Sequence, residues 1–364
     1  MNRSLKLFAV AVLVAAPSLS AQARVPELQF TAVDPLGGFP DIIHLGEVAG
    51  VARNSRNEIF VYTRTGDPTM SLGTSRYMSH FGSRVFKFDS RGRYEREMGQ
   101  QIYGAQYAQQ VRVDSEDNIW VVDRMSGQVI RFDPQGRITM VLSRKPETMG
   151  GAVAAPPRGG GAGAGGRGSG GGGGGAAGGR QGPPPMPEGE SFNSPTDVVW
   201  DTQGNIYVAD GLARTRVAKY DPEGRFITNF AVPGGANAYG MQIDAQNNLY
   251  VADYGNQRIV VMNSQDGSQI REIRSVGSPM AICISPAPNQ FLYVSNSNPP
   301  DNLEVGGEIY KVRLDGTVVG RFGTVGKRMG QFGTVNAIDC RVDNDLLVGE
   351  IGNWRVQRVS LRSE

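Results

Sequence analysis

The residue types that ordinarily carry chemistry are scarce in this chain, and their spacing narrows what it can do. Two histidines, His44 and His80, stand without a partner histidine or cysteine at ligand spacing, so no three-imidazole metal site can be built within one copy. Two cysteines, Cys283 and Cys340, exclude a disulfide scaffold or a cysteine-rich metal domain. What recurs instead is a polar residue closing a short apolar run. Thr63, Asp123, Asp210, Asp253, Asn296 and Glu350 follow one another at intervals of 60, 87, 43, 43 and 54 residues. An aspartate that returns at the same place after Asn118 to Val122, Asn205 to Ala209 and Asn248 to Ala252 reads as a turn-fixing acceptor of backbone N–H groups.

The elements that hold these residues follow from the same period. An interval of 43 is close to the length of a four-stranded propeller blade. The clearer copies begin with a short strand such as Val111 to Asp114 or Val198 to Asp201, pass through the apolar run, and end in an alternating run with a turn such as Asp133-Pro134-Gln135-Gly136. No mature segment shows a 3.6-residue apolar period, so helices should be nearly absent. Six copies predict an all-β, six-bladed β-propeller of four-stranded blades. The chain runs out after three strands of the last blade, and Glu27 to Val33 is expected to supply the fourth and close the ring. The inner-strand starts would then be Ala49, Gln109, Thr196, Tyr239, Met280 and Asn336, ringing the mouth of the central channel either as water-filled lining or as a ligand site.

That ring offers amides, hydroxyls and a phenol without a nucleophile. Together with neighbouring positions it defines the candidate ligand-binding residues Arg64, Gln109, Gln110, Thr196, Asp197, Tyr239 and Asn336. Insertions at Thr65 to Ser83, Gly150 to Glu190 and Ser297 to Gly307 are all expected on this one rim, where binding loops concentrate on a rigid scaffold. Trp120, Trp200 and Trp354 are expected to pack blade against blade. Cys283 and Cys340 fall on inner strands of consecutive blades, with offsets that point to opposite sheet faces, and are read as free, buried thiols.

Composition sets the remaining bounds. Of 364 residues, 37 are basic and 35 acidic, a formal net charge of +2, which argues against a nucleic-acid partner. A hydrophobic fraction of 39% permits a core. Arg3 and Lys6, the apolar run Leu7 to Leu19 and Ala21-Gln22-Ala23 form a signal-peptide pattern. Residues 1–23 are therefore expected to be removed from an exported, periplasmic or secreted protein with no membrane span, leaving a propeller over 24–364. Within Gly159 to Gly179 there are 15 glycines in 21 residues, a composition that predicts a flexible loop inside the 150–190 insertion between blades 2 and 3.

Phe192-Asn193-Ser194-Pro195-Thr196-Asp197-Val198, Val208-Ala209-Asp210-Gly211 and Asn353-Trp354-Arg355-Val356-Gln357 resemble the NHL-repeat six-bladed propellers. More narrowly, the chain resembles the peptidyl-α-hydroxyglycine α-amidating lyase-like family, over nearly the whole mature sequence. That resemblance implies a zinc held by three histidines at inner-strand starts; here the positions carry Gln109, Tyr239 and Asn336. The family's catalytic tyrosine falls on Leu212 and one catalytic arginine on Tyr254, whereas the other arginine is kept as Arg64. Related propeller lactonases imply an acid-and-amide set around calcium, for which Asp197, Asn336 and Glu350 are the candidates. The reading that follows is a ligand- or protein-binding module with a degenerate lyase-type site and no cofactor. The alternatives are a lyase of altered chemistry and a calcium-dependent hydrolase.

Overall fold

The computed structural model describes residues 25–65, 82–100, 102, 104–143, 189, 191–211, 215–235, 238–299 and 302–362. The signal-peptide residues, the glycine-rich run and Leu212 lie outside them. Six four-stranded antiparallel sheets follow one another along the chain and form a six-bladed β-propeller. Blade 1 is β2 (Glu47–Arg53), β3 (Ile59–Arg64), β4 (Ser83–Phe88) and β5 (Tyr94–Met98). Blade 2 is β6 (Ala108–Val113), β7 (Ile119–Asp123), β8 (Gln128–Phe132) and β9 (Ile138–Leu142). Blade 3 is β10 (Pro195–Trp200), β11 (Ile206–Asp210), β12 (Arg216–Tyr220) and β13 (Phe226–Ala231). Blade 4 is β14 (Ala238–Ile243), β15 (Asn248–Asp253), β16 (Arg258–Asn263) and β17 (Gln269–Ile273). Blade 5 is β18 (Ile282–Ile284), β19 (Phe291–Ser295), β20 (Ile309–Arg313) and β21 (Val318–Phe322). After a two-stranded parallel pair, β22 (Thr324–Val325) and β23 (Gln331–Phe332), blade 6 is β24 (Val335–Val342), β25 (Asp345–Glu350) and β26 (Arg355–Leu361).

The missing strand comes from the N-terminal side. β1 (Phe30–Val33) pairs antiparallel with β26, from Phe30 opposite Leu361 to Val33 opposite Arg358, as the truncated last repeat requires. Each sheet then has a central strand covered on both faces. Accordingly β7 and β11 are buried along their whole length, while the outer strand β9 exposes residues such as Ile138. The hydrophobic core is not one mass but six clusters, each shared by two adjacent blades. Leu28, Phe30 and Ala32 pack onto the cluster between blades 5 and 6. Near the axis the blades approach so closely that a Cβ on Gly50 would stand 2.3 Å from the Val111 backbone nitrogen.

Local chemistry explains why the repeat folds this way. Asp114, Asp201 and Asp244 each end an inner strand, and one carboxylate oxygen of each accepts backbone N–H groups two and four residues on. The other oxygen takes the side chain of Asn118, Asn205 or Asn248 and then the ring donor of Trp120, Tyr207 or Tyr250. The turn is thus encoded by an Asx motif whose capping aromatic lies on the next strand.

Two expectations fail. Cys283 and Cys340 are not free thiols but a disulfide, with Cα atoms 5.9 Å apart. Adjacent blades meet through opposite faces of their sheets, so opposite side-chain parity is what brings two inner-strand cysteines together. Cys283 faces blade 6 and Cys340 faces blade 5 within one shared cluster. Trp354 also departs from the packing role: it precedes β26 with φ 53° and is 60% exposed, whereas Trp120 is buried between blades 2 and 3.

Candidate functional site

Five of the six expected inner-strand starts share an unexpected feature. In blades 1, 2, 3, 4 and 6 the first two strands lose register at the same place: between Val48 and Gly50, Ala108 and Gln110, Pro195 and Asp197, Ala238 and Met241, and Val335 and Ala337. Ala49, Gln109, Thr196, Tyr239 and Asn336 are therefore bulge residues, released from the ladder and re-aimed, as bulges do at functional rims. Met280 precedes the short β18 and stands outside the ladder.

Two of the bulge side chains, Asn336 and Thr196, knit the ring. Asn336 Nδ2 donates to the Ala49 carbonyl at 2.6 Å and the Gln109 carbonyl at 2.9 Å, joining blade 6 to blades 1 and 2. Thr196 Oγ1 donates to the Ala238 carbonyl at 2.9 Å, joining blade 3 to blade 4. Asp197 is fully buried and receives the Arg112 guanidinium from blade 2 at 2.9 and 2.6 Å, with the Met241 N–H of blade 4 at 2.8 Å. Gln109 and Gln110 are also buried, and Gln110 Oε1 accepts the Val111 N–H. Asn336, Thr196 and Asp197 thus tie blades to one another by hydrogen bonds, whereas Gln110 bonds within its own strand. Short inner strands bring facing backbones within reach of one another, and a buried polar group must find a partner.

Tyr239 is half-buried on the rim, and the Arg64 side chain is 9% exposed there. Arg64 Nη1 pairs with Glu47 at 2.8 Å, its Nε donates to the Ala108 carbonyl, and its guanidinium carbon stands 3.8 Å from the centre of the Tyr107 ring. Arg124 approaches the same ring at 6.0 Å and donates from Nε to Ser194 Oγ at 3.0 Å. Tyr239 packs on Tyr254 with centroids 5.5 Å apart, and Tyr254 donates to the Asn298 carbonyl of the blade 5 insertion. Sequence reasoning missed Tyr107 and Arg124. The signal was present, because Arg124 follows Asp123 as Arg64 follows Thr63, and repeat-equivalent residues share a rim. The two cations flank one electron-rich ring, an arrangement suited to holding a ligand acceptor or aromatic group.

The recurring carboxylates do fix turns. Asp123 Oδ2 accepts from Tyr62, Gln106 and Tyr107, and Oδ1 from Met125 and Ser126. Burial, with the Asp123 charge added, pushes the Tyr62 phenol well above its ordinary range, so it donates here as a neutral hydroxyl. Glu350 accepts from Gly333, Asn353, Arg355 and Gln357. Zinc does not fit the implied positions: none offers an imidazole, and Asn336 spends its amide on two carbonyls. Calcium fits no better, since Asp197 and Glu350 lie in separate, hydrogen-bonded settings, and no group of three His, Cys, Asp or Glu converges among the described residues. His44 is an exposed residue and His80 lies outside the described residues.

Fold and site together define a six-bladed propeller with a cation- and tyrosine-bearing rim. No known protein-family model matches the chain. It is similar to peptidyl-glycine alpha-amidating monooxygenase A of Xenopus laevis, at 28% identity over 127 residues, 32% of this chain and 14% of that protein. It is also similar to the Mus musculus enzyme, at 23% over 278 residues, 70% of this chain and 24% of that protein. The chain thus spans only a small part of these relatives. Among solved structures, a gluconolactonase of Xanthomonas campestris superposes with a TM-score of 0.57 at 13% identity, over 96% of this chain and 99% of that one. A streptogramin B lyase superposes with a TM-score of 0.54 at 12% identity, over 92% and 98%. At such identities these likenesses show the fold. No helix among the described residues is long and apolar enough to cross a membrane.

Proposed function

We propose that this chain is an exported propeller of the NHL type, acting as a ligand- or protein-binding module whose lyase-type site has decayed. One observation carries the reading: the positions that the lyase resemblance assigns to zinc hold Gln109, Tyr239 and Asn336, and the amide of Asn336 is committed to ring-knitting bonds. What persists on that rim is Arg64, joined by Arg124 around Tyr107 and by the Tyr239–Tyr254 pair. Guanidinium groups and phenol rings bind and orient; without a metal-activated group or an unengaged base they do not make or break bonds readily. Export is supported by the N-terminal basic, apolar and small-residue pattern and by the Cys283–Cys340 disulfide, a linkage that persists in oxidising compartments.

Metal analysis of the purified protein, paired with turnover of a peptidyl-α-hydroxyglycine, tests the reading. Absence of both is expected. Stoichiometric zinc with turnover would establish a lyase of altered ligation, and stoichiometric calcium with lactone hydrolysis would establish the hydrolase; either result overturns the binding-module reading.

A further inference from the structure

The opposite mouth of the ring holds a cavity of about 830 Å³, formed where the inner strands end and running between blades 2 and 3. The Arg112–Asp197 pair joins the adjacent blades 2 and 3 beside it. Three donors on its wall have spare capacity. Arg341 donates only through Nη2, to the Val113 and Asp114 carbonyls, leaving Nε and Nη1 without a protein acceptor among the described residues. Arg112 gives Nε and Nη2 to Asp197, leaving Nη1. The half-buried Gln242 carboxamide lines the cavity with no protein partner among the described residues, so it can both donate and accept. Trp200 lines the same wall, half-buried, and packs against the buried Trp120, which also lines it, ring centroids 5.2 Å apart.

Charge decides the class of ligand. Five carboxylates on the wall (Asp114, Glu116, Asp201, Asp244 and Asp339) outnumber the three arginines there, so an anion would enter against the local field. The three aspartates of the inner-strand turns are occupied by their own Asn and aromatic partners, which leaves fixed oxygens rather than a cation cage. A rigid indole face beside planar donors and a free amide suits a ring with apolar C–H faces and a rim of hydroxyls, each of which donates and accepts. We propose that this lower mouth is a binding site for a neutral saccharide, held by Arg341, Arg112 and Gln242 and stacked on Trp200. The site is independent of the upper rim and of the function proposed for it.

The test is calorimetric and ligand-observed NMR titration of the full chain with maltose, cellobiose, lactose and chitobiose, alongside galacturonate as the charged counterpart. Saturable binding of at least one neutral disaccharide is expected, with galacturonate weaker. Gln242→Ala should weaken that binding about tenfold without moving the melt, because the amide supports no protein partner; Arg341→Ala should weaken it as well. The proposal is overturned if no neutral sugar binds up to about 10 mM, if galacturonate binds more tightly, or if the Gln242 variant binds like wild type.

Discussion

Replacing Asp197 by alanine probes the bonds that hold the ring together at its axis. The carboxylate is fully buried and accepts four hydrogen bonds, two from Arg112 and one each from the Val198 and Met241 backbone. Removing it leaves the guanidinium of Arg112, a residue 8% exposed, without its counter-ion, and leaves two backbone donors unpaired. Breaking one side of such a pair costs about 3–5 kcal/mol. For a domain of this size about 2 °C of melting temperature is lost per kcal/mol, so Asp197→Ala should melt about 6–10 °C below wild type. Thermal melts followed by circular dichroism, with urea unfolding in parallel, read the loss. The double variant Arg112→Met with Asp197→Leu should recover much of it, because neither charge is then buried alone. A melt of Asp197→Ala within about 1 °C of wild type would refute the reasoning, since it would mean that the carboxylate is solvated and the blades do not depend on this inter-blade pair.

Three further outcomes follow from the fold. A chain beginning at Asp34 lacks β1 and exposes the edge of β26, so it should melt lower and form aggregates on gel filtration; a wild-type melt and a monomeric profile would show that the ring closes otherwise. The Cys283–Cys340 link closes a loop of 57 residues, so Cys283→Ala with Cys340→Ala should lose about 4 kcal/mol in urea titrations, and an unchanged midpoint would show that the bridge adds nothing to stability. Burial alone would raise the Glu58 pKa, but hydrogen bonds from Lys87, Arg56 and Asn54 outweigh it and bring it down from 4.5 to about 2. Its contribution is therefore present above pH 4.5 and lost as the pH falls toward 2, so Glu58→Gln should flatten the acid limb of stability over that window, and an unaltered limb would count against the pairing.

Much of the architecture was legible because it is local. Asp114, Asp201 and Asp244 bond backbone groups two and four residues away, so their turns recur wherever the same short string of residues recurs. Six apolar runs, closing at Thr63, Asp123, Asp210, Asp253, Asn296 and Glu350, announce six blades, and the short last repeat announces a strand supplied from the N-terminal side. The lyase-type positions were legible for the same reason, since each sits at a fixed offset within its repeat. Tertiary structure alone decided what those positions do. Asn336 reaches Ala49 and Gln109 only because the ring returns blade 6 to blades 1 and 2, a closeness that 287 and 227 residues of intervening chain conceal. The disulfide shows the same limit: strand parity can be counted along the chain, but which parity brings two cysteines together depends on which faces of neighbouring sheets meet. The lower cavity, too, draws its wall from the ends of separate inner strands, and neither its volume nor its unspent donors belong to any one repeat.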